Sequence, residues 1–90
     1  MLKPVYSSRF KKDIRLALRR GKNPDKLAEV IRILCAEIPL PDQYHDHPLS
    51  GKYAGFRDCH IEPDWILVYK AEKHQLLLVL ARTGTHADLF

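Results

Sequence analysis

Hydrophobic residues recur every three or four positions in two segments near the amino terminus. This spacing is typical of amphipathic helices, because it gathers the apolar side chains on one stripe of the helix. The stripes are formed by Phe10, Ile14, Ala17 and Leu18 in the first segment and by Leu27, Val30, Ile31 and Leu34 in the second. We therefore predict two short helices that bury these stripes against another part of the fold.

Local signals predict where the two helices begin and end. Ser7 or Ser8 offers an amino-terminal cap for the first helix, which then runs to about Arg20. Gly21 suits the left-handed conformation that often ends a helix. Asn23-Pro24 has the residue types of the cap and first residue of the second helix. The two helices should form a helical hairpin.

The middle of the chain has the composition of a β-hairpin. Residues 56–69 contain two extended segments around Glu62-Pro63-Asp64, whose proline and acidic residues favour a turn. Alternation in the first of these segments places Asp58 and His60 on the same face. The turn should hold His60 close to Asp64.

Two further strands complete the predicted sheet. Lys3–Tyr6 is predicted as a short first strand, and the last strand should run from about Gln75 to Thr83. The unbroken apolar run Leu76–Leu80 is typical of a strand covered on both faces. The pattern therefore predicts an α+β fold with two helices on a small antiparallel β-sheet. A chain of 90 residues with 46% hydrophobic composition suits one core, so we expect residues 1–90 to form one domain.

The chain shows no sign of a membrane segment or a secretory signal. Its longest apolar run, Leu76–Ala81, is far shorter than the roughly 20 residues that a membrane-spanning helix needs. Two cysteines, Cys35 and Cys59, do not form a disulfide framework, and packed, reduced thiols are expected. These features predict a soluble, cytoplasmic protein.

Charge is distributed unevenly along the chain. Residues 1–36 contain ten Lys and Arg against three Asp and Glu, whereas residues 37–90 contain five against eight. The predicted helices are thus a candidate surface for a polyanion such as RNA, although solvated helix faces would give the same count. The basic positions singled out are Lys11, Lys12, Arg15, Arg19, Arg20 and Lys22.

Five residues of catalytic type lie at or near predicted strand ends and loops, where separate segments can converge. They are His47, His60, Asp64, Arg82 and His86. Histidine changes protonation near neutral pH, and an arginine can stabilise a charged phosphorane, so convergence would suit RNA cleavage without a metal. The histidine spacings, including His45-x-His47, match no strong zinc signature, so neither a metal nor a cofactor is predicted. His74, in a polar turn, is expected to have no catalytic part.

Three segments together resemble the YafQ-type toxins of the RelE/ParE superfamily, the ribosome-dependent mRNA interferases of bacterial type II toxin–antitoxin systems. The resemblance covers essentially the whole chain and is densest in Asp46–Leu49, Phe56–Lys70 and Arg82–Phe90. It implies a RelE-like, microbial-RNase-like α+β fold and metal-independent cutting of mRNA in the A site of the 70S ribosome. It also implies neutralisation by a cognate antitoxin of the DinJ/RelB kind.

The resemblance also implies roles for individual residues. His86 would transfer a proton directly, with His60 and His47 as acid or base partners, and Asp64 would orient a histidine or adjust its protonation. Arg82 would stabilise the phosphorane. The family's substrate-binding positions fall on Trp65 and Phe90, of which Phe90 would stack on a base near the cut.

Two other functions remain open from the sequence. Relatives with the same fold poison DNA gyrase and cut nothing, so a ParE-like inhibitor without nuclease activity is the main alternative. The histidine-rich set argues against it, because such an inhibitor would not need those residues. A non-toxic RNA- or protein-binding module would be favoured by loss of the histidines or of the carboxy-terminal segment, and both are present.

Overall fold

The computed structural model describes residues 1–90. The elements are β1 (Lys3–Tyr6), α1 (Ser8–Arg19), α2 (Pro24–Cys35), β2 (His47–Pro48), β3 (Arg57–Glu62), β4 (Trp65–Glu72), β5 (Leu77–Gly84) and α3 (His86–Leu89). Single turns of 3-10 helix occupy Asp42–Tyr44, Gly51–Tyr53 and Lys73–Gln75. The predicted α+β fold, with two amino-terminal helices on a small sheet, is confirmed.

The two helices begin and end at the predicted signals. The Ser7 side chain accepts a hydrogen bond from the Phe10 backbone N–H at 3.0 Å, and Asn23 caps α2 in the same way. Gly21 follows α1 with a φ of 83°, a conformation that costs glycine little. The prediction that Leu18 belongs to the buried stripe of α1 is wrong, because this residue is 48% exposed.

The sheet has the strand order β1-β5-β4-β3-β2. The predicted hairpin over residues 56–69 is confirmed as β3 and β4, which pair antiparallel from Arg57 opposite Tyr69 to the turn. All neighbouring strands are antiparallel except β1, which runs parallel to β5. The expectation of a purely antiparallel sheet is therefore wrong at this edge. No hairpin joins β1 to β5, so no tight turn sets their relative direction.

Apolar side chains cover both faces of the sheet, but unequally. The larger cluster lies under α1 and α2 and includes Phe10, Val30, Leu67, Leu78 and Leu80. The smaller cluster lies on the opposite face and consists of Ile66, Val68 and Leu89. Strand β4 is in the centre of the sheet, and Trp65 to Tyr69 are all buried. Side chains on both faces of this part of β4 are therefore shielded from solvent.

Strand β5 differs from its prediction. Leu78 and Leu80 are fully buried, whereas Leu77 and Val79 are only partly buried. Leu76 precedes the strand in a left-handed conformation and is 58% exposed. The apolar run thus packs well on one face only, because the small second cluster is centred on β4. The strand covered on both faces is β4 and not β5.

The carboxy-terminal segment, for which no helix is predicted from the sequence, contains the short helix α3. Thr85 and Asp88 form a capping box, in which each side chain accepts a hydrogen bond from the other residue's backbone N–H. Leu89 packs this helix on the sheet and is 3% exposed. The segment is therefore a fixed part of the fold.

Both cysteines are free thiols with buried side chains, as predicted. Burial raises the pKa of the Cys59 thiol above its usual range, so this residue is a packing group and not a nucleophile. None of the helices combines the length and the apolar character needed to cross a membrane.

Candidate active site

The candidate site lies on the face of the sheet opposite α1 and α2. His47 of β2 pairs with Asp58 of β3, which pairs in turn with Val68 of β4. His60 lies two residues beyond Asp58, opposite Ile66. Directly paired residues and residues two apart share a face, so both histidines and Asp58 point toward the side of the smaller apolar cluster.

Asp58 is the buried polar centre of this face. Its side chain is 4% exposed, and Oδ1 lies 3.1 Å from His47 Nε2. The two atoms are close but not aligned for a hydrogen bond, and Oδ1 has no other hydrogen-bond partner. Burial raises the pKa of Asp58, while the nearby histidine charges of His47, His60 and His86 lower it. All three histidines predicted for the site therefore act on one carboxyl group.

Backbone carbonyl groups set the ring tautomers of two histidines. His47 Nδ1 lies 2.8 Å from the carbonyl oxygen of His45, and His60 Nδ1 lies 3.2 Å from that of Pro63. A carbonyl oxygen only accepts hydrogen bonds, so each Nδ1 carries a proton and each Nε2 is free to exchange one. His47 Nε2 therefore faces the Asp58 carboxyl group and lies 3.1 Å from Oδ1.

Asp64 contacts His86 through the backbone. Its Oδ1 accepts a hydrogen bond from the His86 backbone N–H at 3.0 Å, at the first residue of α3. Asp64 makes no hydrogen bond with the His60 ring. The ring nitrogen Nδ1 of His60 bonds to the Pro63 carbonyl oxygen instead. Asp64 thus fixes the start of the helix that carries His86.

An aromatic patch borders His86. The Phe90 ring centroid lies 5.2 Å from that of His86 and 5.7 Å from that of Tyr53. Tyr53 in turn contacts Phe56 edge-to-face at 6.4 Å. Phe90 is 53% exposed, so one side of its ring is open to a stacking partner.

Arg82 is held by a carboxylate from α1. Its Nε and Nη2 atoms donate to Asp13 at 2.8 and 3.2 Å, and its side chain is 15% exposed. The hydrogen bonds to Asp13 raise the pKa of Arg82. Arg82 is thus a cation that α1 holds in place through Asp13.

Trp65, expected from the resemblance to bind the substrate, has a buried ring. It is 2% exposed and belongs to the larger apolar cluster under the helices. Its Nε1 donates to the Thr83 hydroxyl group at 2.9 Å, and that hydroxyl donates to the Ile66 carbonyl oxygen. The ring is therefore a core group and offers no surface for stacking on RNA.

The six basic residues singled out in the amino-terminal half divide into two groups. Arg20 is paired with Asp88, and Lys22 is paired with Glu62 at 3.0 Å. The other four are exposed and take part in no ion pair: Lys11, Lys12, Arg15 and Arg19. We call these four residues the basic face of α1. They are the cations best placed to meet an external polyanion.

No group of three or more His, Cys, Asp and Glu side chains has an arrangement that could hold a metal ion. The site is built instead from separate histidines, one buried carboxyl group and one fixed arginine.

Two residues of the site were not singled out from the sequence. Asp58 was placed on the His60 face by alternation, but nothing local indicated that it would be buried and paired with His47. Tyr53 lies in a polar loop, and only the folded chain brings it to Phe90 and Arg82. For Tyr53 we find no sequence signal.

Comparisons with known proteins agree with this fold. A family described as "Bacterial toxin of type II toxin-antitoxin system, YafQ" matches residues 2–90. The mRNA interferase toxin YafQ of Escherichia coli K12 is 49% identical over 86 residues, which cover 94% of this chain and 91% of the relative.

Solved structures extend the comparison. The E. coli DinJ–YafQ complex contains a chain with a TM-score of 0.89 and 46% identity, covering 100% of this chain and 99% of its own. A metal-bound toxin from Helicobacter pylori superposes with a TM-score of 0.94 and 40% identity over the full length of both chains.

Fold and relatives together define a class, the small toxins of bacterial type II toxin–antitoxin systems. Within that class, this chain belongs to the YafQ family. The assignment drawn from the sequence, a YafQ-type mRNA interferase and hence an endoribonuclease, is confirmed at this level.

Proposed function

We propose that this chain, acting in the cytoplasm as one toxin domain over residues 1–90, cuts mRNA in the A site of the 70S ribosome without a metal. The observation that carries the proposal is that His47, Asp58 and His60 share the face of the sheet on which α3, the helix of His86, packs through Leu89. Imidazole is the side-chain type best suited to acid–base catalysis near neutral pH. No observation favours the gyrase-inhibitor alternative.

The proposed reaction is an internal transesterification. The ribose 2′-oxygen attacks the adjacent phosphorus while a histidine Nε2 takes the 2′-hydroxyl proton. The bond from phosphorus to the 5′-oxygen breaks, and a protonated histidine gives its proton to that oxygen. Atoms balance without water or metal, and the products are a 2′,3′-cyclic phosphate and a 5′-hydroxyl end.

The geometry suggests how the roles divide. His60 has Nε2 as its free nitrogen, because the Pro63 carbonyl oxygen holds the Nδ1 proton. His47, whose Nε2 lies 3.1 Å from the Asp58 carboxyl group, would be an acid or base partner. His86 is exposed at the start of α3 and remains the first choice for direct transfer to the substrate.

Arg82 would stabilise the reacting phosphate group, and Phe90 would stack on a base. Asp13 fixes the Arg82 guanidinium group, so its charge needs no reorganisation when a phosphorane forms nearby. The open face of Phe90 suits stacking on a base next to the cut. Trp65 has no part in binding, because its ring is buried.

The reaction test uses purified protein and ribosomes programmed with a defined mRNA, under single-turnover conditions. We expect cleavage that depends on pH through two ionisations and leaves a 2′,3′-cyclic phosphate. Activity should survive a chelator that removes zinc and copper but leaves the Mg²⁺ that ribosomes require. The chelator experiment is essential, because the H. pylori relative is a metal-bound toxin. A 3′-hydroxyl product or loss of activity with the chelator would contradict the proposed chemistry.

We also propose that the basic face of α1 binds ribosomal RNA. Phosphate contacts release counterions, so ribosome affinity should fall steeply with salt, and reversing the charge of Lys11, Lys12, Arg15 and Arg19 together should flatten that dependence. The measurement is ribosome binding across a salt series. A control that reverses Lys73 and Lys3, exposed lysines at other places on the surface, is matched by a variant that reverses only Lys11 and Lys12, so that each changes two charges. Equal salt slopes for both variants and the parent would rule out this surface.

A cognate antitoxin is the second proposed partner. DinJ forms a complex with the E. coli relative, and we propose that a DinJ/RelB-like protein binds this chain through an acidic or amphipathic segment. That segment would cover the basic face of α1 or the face of the sheet that carries His60.

A further inference from the structure

The short helix α3 is attached to the end of α1 by one ion pair. Arg20 Nη1 donates to Asp88 Oδ2 at 2.7 Å, and Arg20 Nη2 lies 3.3 Å from Asp88 Oδ1. The contact is bidentate and joins residues 68 positions apart in the chain. An arginine fork on a carboxylate fixes direction as well as distance.

Asp88 connects this ion pair to the cap of α3. The same Oδ2 atom accepts a hydrogen bond from the Thr85 backbone N–H at 3.0 Å. Gly84 lies so close that a Cβ atom there would come within 2.9 Å of Asp88 Oδ2. Arg20, followed by Thr85, holds the pKa of Asp88 well below its usual range, so the pair stays charged at neutral pH. Asp88 is thus held by Arg20 and by the Thr85 backbone, and any residue larger than glycine at position 84 would crowd it.

A four-residue helix has no stability of its own, since a single turn costs more entropy than its hydrogen bonds return. Leu89 anchors α3 on the sheet and Phe90 contacts Tyr53, but apolar contacts are not directional and do not by themselves fix the orientation of the helix. The Asp64 bond to the His86 backbone and the Arg20–Asp88 pair are the polar contacts that oppose such rotation. His86 and Phe90 both depend on the orientation of this helix.

We propose that Arg20 and Asp88 are positioning residues whose ion pair fixes α3 to α1 and thereby holds His86 and Phe90 in the active site. The inference rests on the proposed catalytic role of His86. It assigns Arg20 to the chemical step and removes it from the residues that bind ribosomal RNA. Exposed ion pairs contribute little to global stability, so the effect should fall on the cleavage rate and not on folding.

The test compares Arg20→Ala with Arg9→Ala, which removes an exposed, unpaired arginine from the same helix. At saturating ribosomes, Arg20→Ala should slow single-turnover cleavage by about 10- to 10²-fold, because displacing a reacting group by about 1 Å costs that order. Ribosome affinity should change equally in both variants. Arg20→Lys keeps the charge but loses the fork, so its rate should lie in between. Asp88→Asn retains an acceptor for the cap and should match Arg20→Ala.

Amide hydrogen exchange provides a second measurement that needs no RNA. The Leu89 and Phe90 amides bond to the Thr85 and His86 carbonyl oxygens, and their exchange should accelerate in Arg20→Ala but not in Arg9→Ala. The double variant Arg20→Ala/Asp88→Asn should be no slower in cleavage than the slower single variant.

The outcomes separate the two hypotheses. If the parent protein fails to cut mRNA, the proposed function fails, while the exchange measurement still tests the attachment of α3. If the parent cuts mRNA but Arg20→Ala matches Arg9→Ala in rate, the positioning role is overturned, whatever the exchange shows. Unchanged exchange in Arg20→Ala would overturn the attachment itself.

Discussion

His86→Ala should slow single-turnover cleavage of ribosome-bound mRNA by about 10²–10⁴-fold, the usual cost of losing a proton-transfer group. His86 is exposed beside the open ring of Phe90, and its backbone is held by Asp64. Because it lies outside the basic face of α1, ribosome binding should be nearly unchanged. Rates at saturating ribosomes and an independent binding assay would separate the two effects.

His74 provides the matched control. It is an exposed histidine in the 3-10 turn between β4 and β5, at the end of the hairpin away from the site. His74→Ala should cleave mRNA at the parent rate. Similar losses from His74→Ala and His86→Ala would mean that the histidines act through something other than proton transfer at this face.

Asp58→Asn should slow cleavage by a similar order, about 10²-fold or more, for a different reason. The amide has the shape of the carboxyl group but carries no negative charge, so it could not stabilise positive charge that develops on the His47 ring 3.1 Å away. Asp58→Glu, which keeps the charge, should lose less activity than Asp58→Asn.

Combining variants tests whether the two residues act as one unit. Asp58→Asn introduced into His47→Ala should cost little beyond His47→Ala alone, because Asp58 is expected to act through the His47 ring. A full additional loss would show that Asp58 acts independently of His47.

Asp58 should also affect the pH dependence of stability. Burial raises its pKa in the folded protein, so the folded state binds this proton more tightly than the unfolded state does. The free energy of unfolding should therefore carry a favourable contribution at low pH that is lost as pH rises through the raised pKa. The free energy of unfolding, measured with denaturant at several acidic pH values for the parent and for Asp58→Asn, would isolate this contribution. A contribution that grows with pH would contradict this assignment.

Some features of the site could be predicted because they depend on neighbours in sequence. Alternation alone places Asp58 and His60 on one face, and Glu62-Pro63-Asp64 forms the expected turn. The caps of α1 and α2 are equally local, since a serine or asparagine side chain bonds to a backbone N–H two or three residues away. The Thr85–Asp88 capping box was also readable, although the tail was not predicted as a helix.

Other features depended on contacts between distant segments. Arg82 pairs with Asp13 and Arg20 pairs with Asp88, and neither partner could be chosen from a sequence that offers eleven acidic residues. Trp65 has a residue type suited to stacking on RNA, but its position under α1 and its bond to Thr83 place it in the core.

The helices, the hairpin, the uneven charge and the set of histidines are readable from the amino-acid sequence, because periodicity, caps and composition are properties of short segments. The folded chain was needed to show that β4 is buried on both faces, that Asp58 is buried beside His47, and which basic residues take part in no ion pair. Burial and ion pairs depend on the distances between segments, and those distances exist only after the chain has folded.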